Sequence, residues 1–173
     1  MTKAQHSFHS HLKIPLGYLR ACVQNNHLIR LDWQQHPFEE PVLEDHVSRE
    51  TILQLKAYFN GELTEFNLPI DLSAYSEKQQ RWWQILRSVP YGTRLSYSGL
   101  ATLWGNPKAG RVAGNACKRN PIPIIIPCHR IINTNGRLHA YSGGDDLNPK
   151  SPENIQRKQW LIDFEASIKQ PKL

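Results

Sequence analysis

The chain has 173 residues, enough for one domain of ordinary size or two small ones packed together. Its hydrophobic content of 39% supports a core, and no apolar run approaches the roughly 20 residues that a membrane span needs. The polar start has no signal-peptide pattern, so a cytoplasmic protein that keeps off membranes is expected.

The net charge of +6 is unevenly spread. Residues 1–77 carry six basic and ten acidic groups, whereas residues 78–173 carry fifteen and five. Between Lys78 and Gly144 there are ten Lys or Arg and no acid, a bias that suits a polyanion such as nucleic acid. The change of sign places a domain boundary at 77/78. Of the three cysteines, Cys22, Cys117 and Cys128, no two have metal-type spacing, and reduced thiols are expected. His6, His9 and His11 read as a solvated, flexible tail, and no metal is expected.

In chain order, Leu28–Asp32 reads as a strand, and residues 48–59 as an amphipathic helix stopped by Asn60-Gly61. Residues 66–70 form a short extended segment. Glu39, Glu40 and Glu44 read as solvated surface. Trp82, Ile85, Leu86 and Val89 follow the i, i+3, i+4, i+7 pattern of a core-facing helix ending at Val89. Trp82 and Trp83 read as packing residues.

A further helix starts after Ser96 as N-cap and runs to Trp104, where Gly105-Asn106-Pro107 breaks it. Another spans 108–118. The pair fits a helix-turn-helix. The second member is thin, built from Ala109, Gly110, Ala113, Gly114 and Ala116, and its two glycines cost roughly 1 kcal/mol each relative to Ala. Close backbone approach to another helix or to a DNA groove would offset that. Arg111 projects from this surface. Ser151-Pro152 starts a last helix.

The run Ile122–Ile126 reads as a buried strand delivering Pro127-Cys128-His129-Arg130. A cysteine followed by two basic groups suits an activated thiolate, although a buried structural cysteine fits the same residue types. A hydrolase using Cys128 and His129 competes with a transfer reaction at this point.

This segment, preceded by Asn120-Pro121, resembles the active-site signature of the O6-alkylguanine-DNA alkyltransferases. Matching segments flank it in order: Pro90-Tyr91-Gly92, Ser96-Tyr97, Gly105-Asn106-Pro107-Lys108, Tyr141-Ser142-Gly143-Gly144 and Gln156-Arg157-Lys158. The resemblance implies a mixed α/β (α+β) fold. An N-terminal ribonuclease-H-like α/β domain, residues 1–77, would precede a mostly helical, winged helix-turn-helix-type domain, 78–173.

It also implies single-turnover repair of O6-alkylguanine in double-stranded DNA by a monomer without cofactor, with O4-alkylthymine as a further candidate substrate. Cys128 would accept the alkyl group. His129 would act as base through a water, oriented by Glu165, and Asn120 would brace the turn before Cys128. Tyr97 would hydrogen-bond the flipped base, and the carbonyls of Cys128 and Ile131 would read its edge. Tyr141 and Ser142 would wall the pocket. Arg111 would fill the vacated base stack, while Lys108, Ala109, Gly110, Gly114 and Lys118 would meet the minor groove. The chain departs from the family pattern in a long connection, Asp145 to Asn154, just past the pocket loop.

Overall fold

The computed structural model describes residues 7–142 and 148–169. The sequence expectations for His6, Gly143, Gly144, Asp145 and Asp146 fall outside these residues. The chain divides between Ala74 and Tyr75 into two compact units. The division lies ahead of the charge change at 77/78, because Ser76 already caps the first helix of the second unit.

The first unit is a three-stranded antiparallel meander covered by a helix: β1 (Ser7–Ile14), β2 (Gly17–Gln24), β3 (His27–Gln34) and α1 (His46–Phe59). Asn25 and Asn26 make the β2–β3 turn, with φ of 50° and 59°. Asparagine tolerates this left-handed region better than most residues, and a two-residue turn of this hand matches strand twist. At Gly17 a Cβ would lie 2.3 Å from the Gln34 carbonyl oxygen, so only glycine fits. Leu19, Ala21, Val23, Leu28, Leu31 and Trp33 are fully buried, as are Leu55 and Tyr58 of α1. Asp45 and Ser48 close a capping box at the start of α1, each side chain accepting from the other's backbone N–H at 2.7 and 2.9 Å.

Two expectations fail in this unit. His9 and His11 are not in a flexible tail; they sit on β1, paired with Cys22 and Arg20 of β2. Glu40 and Glu44 are not merely solvated. Glu40 pairs with Arg20 at 2.7 Å, and Glu44 accepts from the Ser10 hydroxyl at 2.6 Å. Burial pushes the Cys22 thiol up to about 11, with the Asp32 carboxylate adding to the effect. Cys22 is therefore a buried thiol that keeps its proton at neutral pH.

The second unit contains α2 (Glu77–Arg87), β4 (Leu95–Ser96), α3 (Tyr97–Trp104), α4 (Gly110–Lys118), β5 (Ile131–Ile132) and α5 (Pro152–Lys169). α2 stops at Arg87 rather than Val89, because Ser88 caps it, yet Val89 is still buried. Trp82 stacks on Trp104 at 4.3 Å, and Trp83 donates its indole N–H to the Ala116 carbonyl at 3.0 Å. Both tryptophans tie α2 to the helix-turn-helix rather than presenting free faces. Ser96 caps α3 by accepting from the Gly99 N–H at 3.0 Å, and Gly105 ends the helix at φ 99°. α4 begins at Gly110, two residues after the expected start. β4 and β5 pair in parallel, Leu95 with Ile131 and Ser96 with Ile132. This pairing brings the start of α3 beside the segment that follows Cys128.

The buried strand expected at Ile122–Ile126 does not form. Pro121, Pro123 and Pro127 lack the N–H groups a central ladder needs. The segment instead folds on itself, with Ile125 N–H to Pro123 O and Ile126 N–H to Ile122 O, both at 2.9 Å, and Ile124 at φ 72°. Cys128, His129 and Arg130 form a single 3-10 turn behind it. Among the described residues no helix is long and apolar enough to cross a membrane.

Candidate active site

Asn120 organises the loop that a strand was expected to supply. Its carbonyl oxygen accepts from the Ile122 N–H at 3.0 Å. Its amide donates to the Ile126 carbonyl at 2.7 Å and to the Cys128 sulfur at 3.1 Å. One buried side chain thus replaces the missing ladder and fixes the thiol. A donor aimed at sulfur also favours the thiolate over the thiol.

Cys128 is 3% exposed and lines a cavity of about 620 Å³. Tyr97, Gly110, Arg111, Gly114, Lys118, Tyr141 and Ser142, all singled out from the sequence, line the same cavity. Lys108, Ala109, Asn120, His129, Ile131 and Glu165 are not on its wall. Ile131 is fully buried, and its carbonyl already accepts from the Lys158 ammonium at 2.6 Å. Lys108 and Ala109 lie in the turn before α4.

His129, Arg130 and Glu165 form a buried cluster next to Cys128. His129 Nε2 lies 2.8 Å from Glu165 Oε1. Arg130 donates to both Glu165 oxygens, at 3.0 and 2.9 Å, and to the Val89 carbonyl at 2.6 Å. The Gly92 N–H adds a fourth donor to the carboxylate at 3.0 Å. Burial alone would raise the Glu165 carboxyl, but the hydrogen bond from His129 and the Arg130 guanidinium outweigh it and hold it well below the usual carboxylate range. Burial lowers His129 despite Glu165, with Arg130 and Lys158 acting in the same sense, so the ring is neutral at pH 7. An ionised carboxylate only accepts. The hydrogen of His129 therefore sits on Nε2, and Nδ1 carries a lone pair. Nδ1 is buried without a hydrogen-bond partner among the described residues.

Burial pushes the Cys128 thiol up, and the Asn120 amide and Lys158 oppose the rise. The resting group is a thiol that needs help to ionise. Lys158 is 1% exposed on α5 and reaches the Ile131 and Ala140 carbonyls at 2.6 and 3.3 Å and the Tyr97 hydroxyl at 3.5 Å. Tyr97 is raised by burial, and the nearby Cys117 and Cys128 act in the same direction, so the phenol keeps its proton as a donor. Cys117 also lines the cavity; burial raises its thiol as well.

Lys158 and Arg130 carry weight that sequence reasoning did not give them. In the sequence Lys158 stands only within a motif, and Arg130 reads as a cation beside the thiol rather than as the partner of Glu165. The available signal was a lysine and a glutamate seven positions apart on α5, on the stripe that also bears Leu161 and Ile162. A charged pair on a core-facing stripe is seldom filler.

At α4 the glycines are informative. A Cβ on Gly110 would meet nothing within 4 Å, and one on Gly114 would touch only the Tyr97 ring at 3.9 Å. Packing within this unit therefore does not require glycine at these two positions, whereas Ala113 and Ala116 are buried.

Residues 77–167 match the family described as 6-O-methylguanine DNA methyltransferase, DNA binding domain. Residues 8–72 match that of the 6-O-methylguanine DNA methyltransferase, ribonuclease-like domain. The chain is 50% identical over 116 residues to the methylated-DNA--protein-cysteine methyltransferase of Mycobacterium leprae, an overlap of 67% of this chain and 64% of that protein. It is 35% identical to the constitutive methylated-DNA--protein-cysteine methyltransferase of Bacillus subtilis, over 87% of this chain and 96% of that one. The crystal structure of Mycobacterium tuberculosis O6-methylguanine methyltransferase superposes with a TM-score of 0.79 at 33% identity, covering 96% and 97% of the two chains. A structure of Mycobacterium tuberculosis OGT in complex with DNA gives 0.77 at 35% identity, covering 92% and 93%. The mixed α/β architecture, a small sheet unit followed by a helical unit, agrees with these neighbours. The chain belongs to the 6-O-methylguanine DNA methyltransferase family.

Proposed function

We propose that this protein repairs O6-alkylguanine in double-stranded DNA by moving the alkyl group irreversibly onto Cys128, once per molecule, as a monomer and without a cofactor. The observation that carries this reading is the shared cavity. The Cys128 sulfur, pinned by Asn120, and the Tyr97 phenol face one space whose wall is α4.

The alkylated oxygen lies inside the duplex, so the nucleotide must be flipped out at a cost of a few kcal/mol. α4 enters the minor groove, and the open space over Gly110 lets the backbone come close. Arg111 takes the place of the extruded base, while Lys108 and Lys118 neutralise phosphates. Tyr141 and Ser142 wall the pocket around the base.

The thiol proton passes to His129 Nδ1 through one water, and Glu165 holds the ring in the tautomer that can accept it. The sulfur then attacks the alkyl carbon in line. A C–S bond forms as the C–O6 bond breaks, and the electron pair leaves with guanine. Tyr97 meets the growing charge on the base as a hydrogen-bond donor, and the proton given up by the thiol balances the guanine. The thioether is stable, so no second turnover follows.

Incubation with duplex carrying a radiolabelled O6-methyl group tests this directly. The protein should take up at most one label per chain, and Cys128→Ala should take up none. Labelling of Cys128→Ala at the parent level would reject the reading. Arg111→Ala should slow repair of duplex about 10- to 100-fold, equivalent to about 1.4–2.7 kcal/mol. Attack on free O6-benzylguanine, which needs no flipping, should change far less. Equal losses on both substrates would contradict the role given to Arg111.

A further inference from the structure

The cavity has a second wall that α4 does not supply. Its described part includes the turn Asn148–Lys150, which belongs to the long connection noted in the sequence. The turn is held firmly. The Asn148 side-chain oxygen accepts from the Lys150 N–H at 2.9 Å, and its carbonyl accepts from the Ser151 N–H at 2.8 Å. The fully buried Asn154 donates to the same carbonyl at 3.3 Å. Pro149 accepts from the Tyr141 N–H at 2.8 Å, which ties the turn to the pocket loop.

The backbone of Lys150 is thus fixed while its side chain is exposed at the cavity rim. It makes no ion pair with any described residue. The described lining contains Arg111, Lys118, Lys150 and Lys158 and no carboxylate. Lys158 is bonded to internal carbonyls, and Arg111 and Lys118 belong to α4. Among the described residues, Lys150 is the exposed lysine of the wall opposite α4, on a hydrogen-bonded turn.

We propose that the Asn148–Lys150 turn is a second DNA-contacting element, in which Lys150 binds a backbone phosphate of the strand carrying the flipped nucleotide. The turn would grip the extruded nucleotide's strand from the wall that α4 leaves open. This rests on the repair reading above and adds a binding residue to it.

The test compares the full-length parent protein with Lys150→Ala and Lys150→Arg. The readout is the rate on O6-methylguanine duplex relative to the rate on free O6-benzylguanine, over a range of salt. Lys150→Ala should lower that ratio about 3- to 10-fold near physiological salt and reduce the slope of log rate against log salt by about 1. Lys150→Arg should restore most of the ratio. An unchanged ratio and slope in Lys150→Ala would overturn the proposal, and so would an equal loss on both substrates, which would mark a residue that only shapes the pocket. If the parent itself transfers nothing from duplex, the repair reading fails and this proposal falls with it. If the parent transfers normally and Lys150→Ala matches it, this proposal alone fails.

Discussion

Glu165→Ala should be the most damaging single change outside the nucleophile. Four donors converge on this carboxylate, from His129, Arg130 and Gly92, and it is 1% exposed. Removing it leaves the buried Arg130 guanidinium, among the described residues, with the Val89 carbonyl as its hydrogen-bond acceptor and the Tyr91 ring beside it. Breaking one half of a buried ion pair costs about 3–5 kcal/mol, a large share of the stability of a domain this size. Chemical denaturation should show that loss.

The transfer rate should also fall, by about 10²–10⁴, because His129 loses the acceptor that keeps its hydrogen on Nε2. Glu165→Gln separates the two effects. It keeps the packing but replaces an acceptor-only group, so it should lose rate while keeping more stability than the alanine variant.

The same cluster sets an acid limit. A carboxyl held below its unfolded value of 4.5 adds stability that is complete above that pH and is lost as pH falls toward the folded value. A histidine held below its unfolded value of 6.5 acts in the same direction, because only the unfolded chain takes up the proton. The parent should weaken gradually below pH 6.5 and more steeply below 4.5. In Glu165→Ala the second, steeper part should be reduced. An identical acid profile in both proteins would contradict the charge state assigned to Glu165.

The second large effect is expected at Lys158. Its ammonium opposes the rise that burial imposes on the Cys128 thiol, and it satisfies two backbone carbonyls. Lys158→Met keeps most of the volume and removes the charge. Without that cation the Cys128 thiol should rise further, so less thiolate is present and the rate at neutral pH should fall about 10- to 100-fold. The distinguishing readout is the pH profile with free O6-benzylguanine. The profile should move to higher pH in Lys158→Met, and rate should recover as pH rises. A uniform loss at every pH would mean that Lys158 acts only by supporting the Ile131 and Ala140 carbonyls.

Local signals foretold the parts of the fold that local chemistry controls. Ser96 as a cap, Gly105 as a stop and the Trp82–Val89 stripe were all readable, since each depends on neighbours within a few residues. β1 and β2 were missed because their inward residues alternate with His9, His11 and Arg20, whose partners lie on other strands or in the following loop. The loop from Asn120 to Pro127 was misread for a related reason. A run of isoleucines has the composition of a strand, but its prolines remove the ladder donors, and one side chain, Asn120, supplies replacements across the turn. At the site, the motif around Cys128 pointed to the cysteine that lines the cavity and to the neighbours that surround it. The role of Lys158 and the pairing of Arg130 with Glu165 escaped notice because they depend on burial and long-range contacts, which no short spacing reports.

The central claim is that Cys128 is the alkyl acceptor. Its most direct test is mass spectrometry of the protein after incubation with excess O6-methylguanine duplex, first intact and then as peptides. The account predicts a single added methyl group, complete when one equivalent of lesion has been consumed, located on the peptide bearing Cys128, while the Cys22 and Cys117 peptides are unmodified. An unmodified Cys128 peptide after complete reaction, or a methyl group on Cys117 instead, would contradict it.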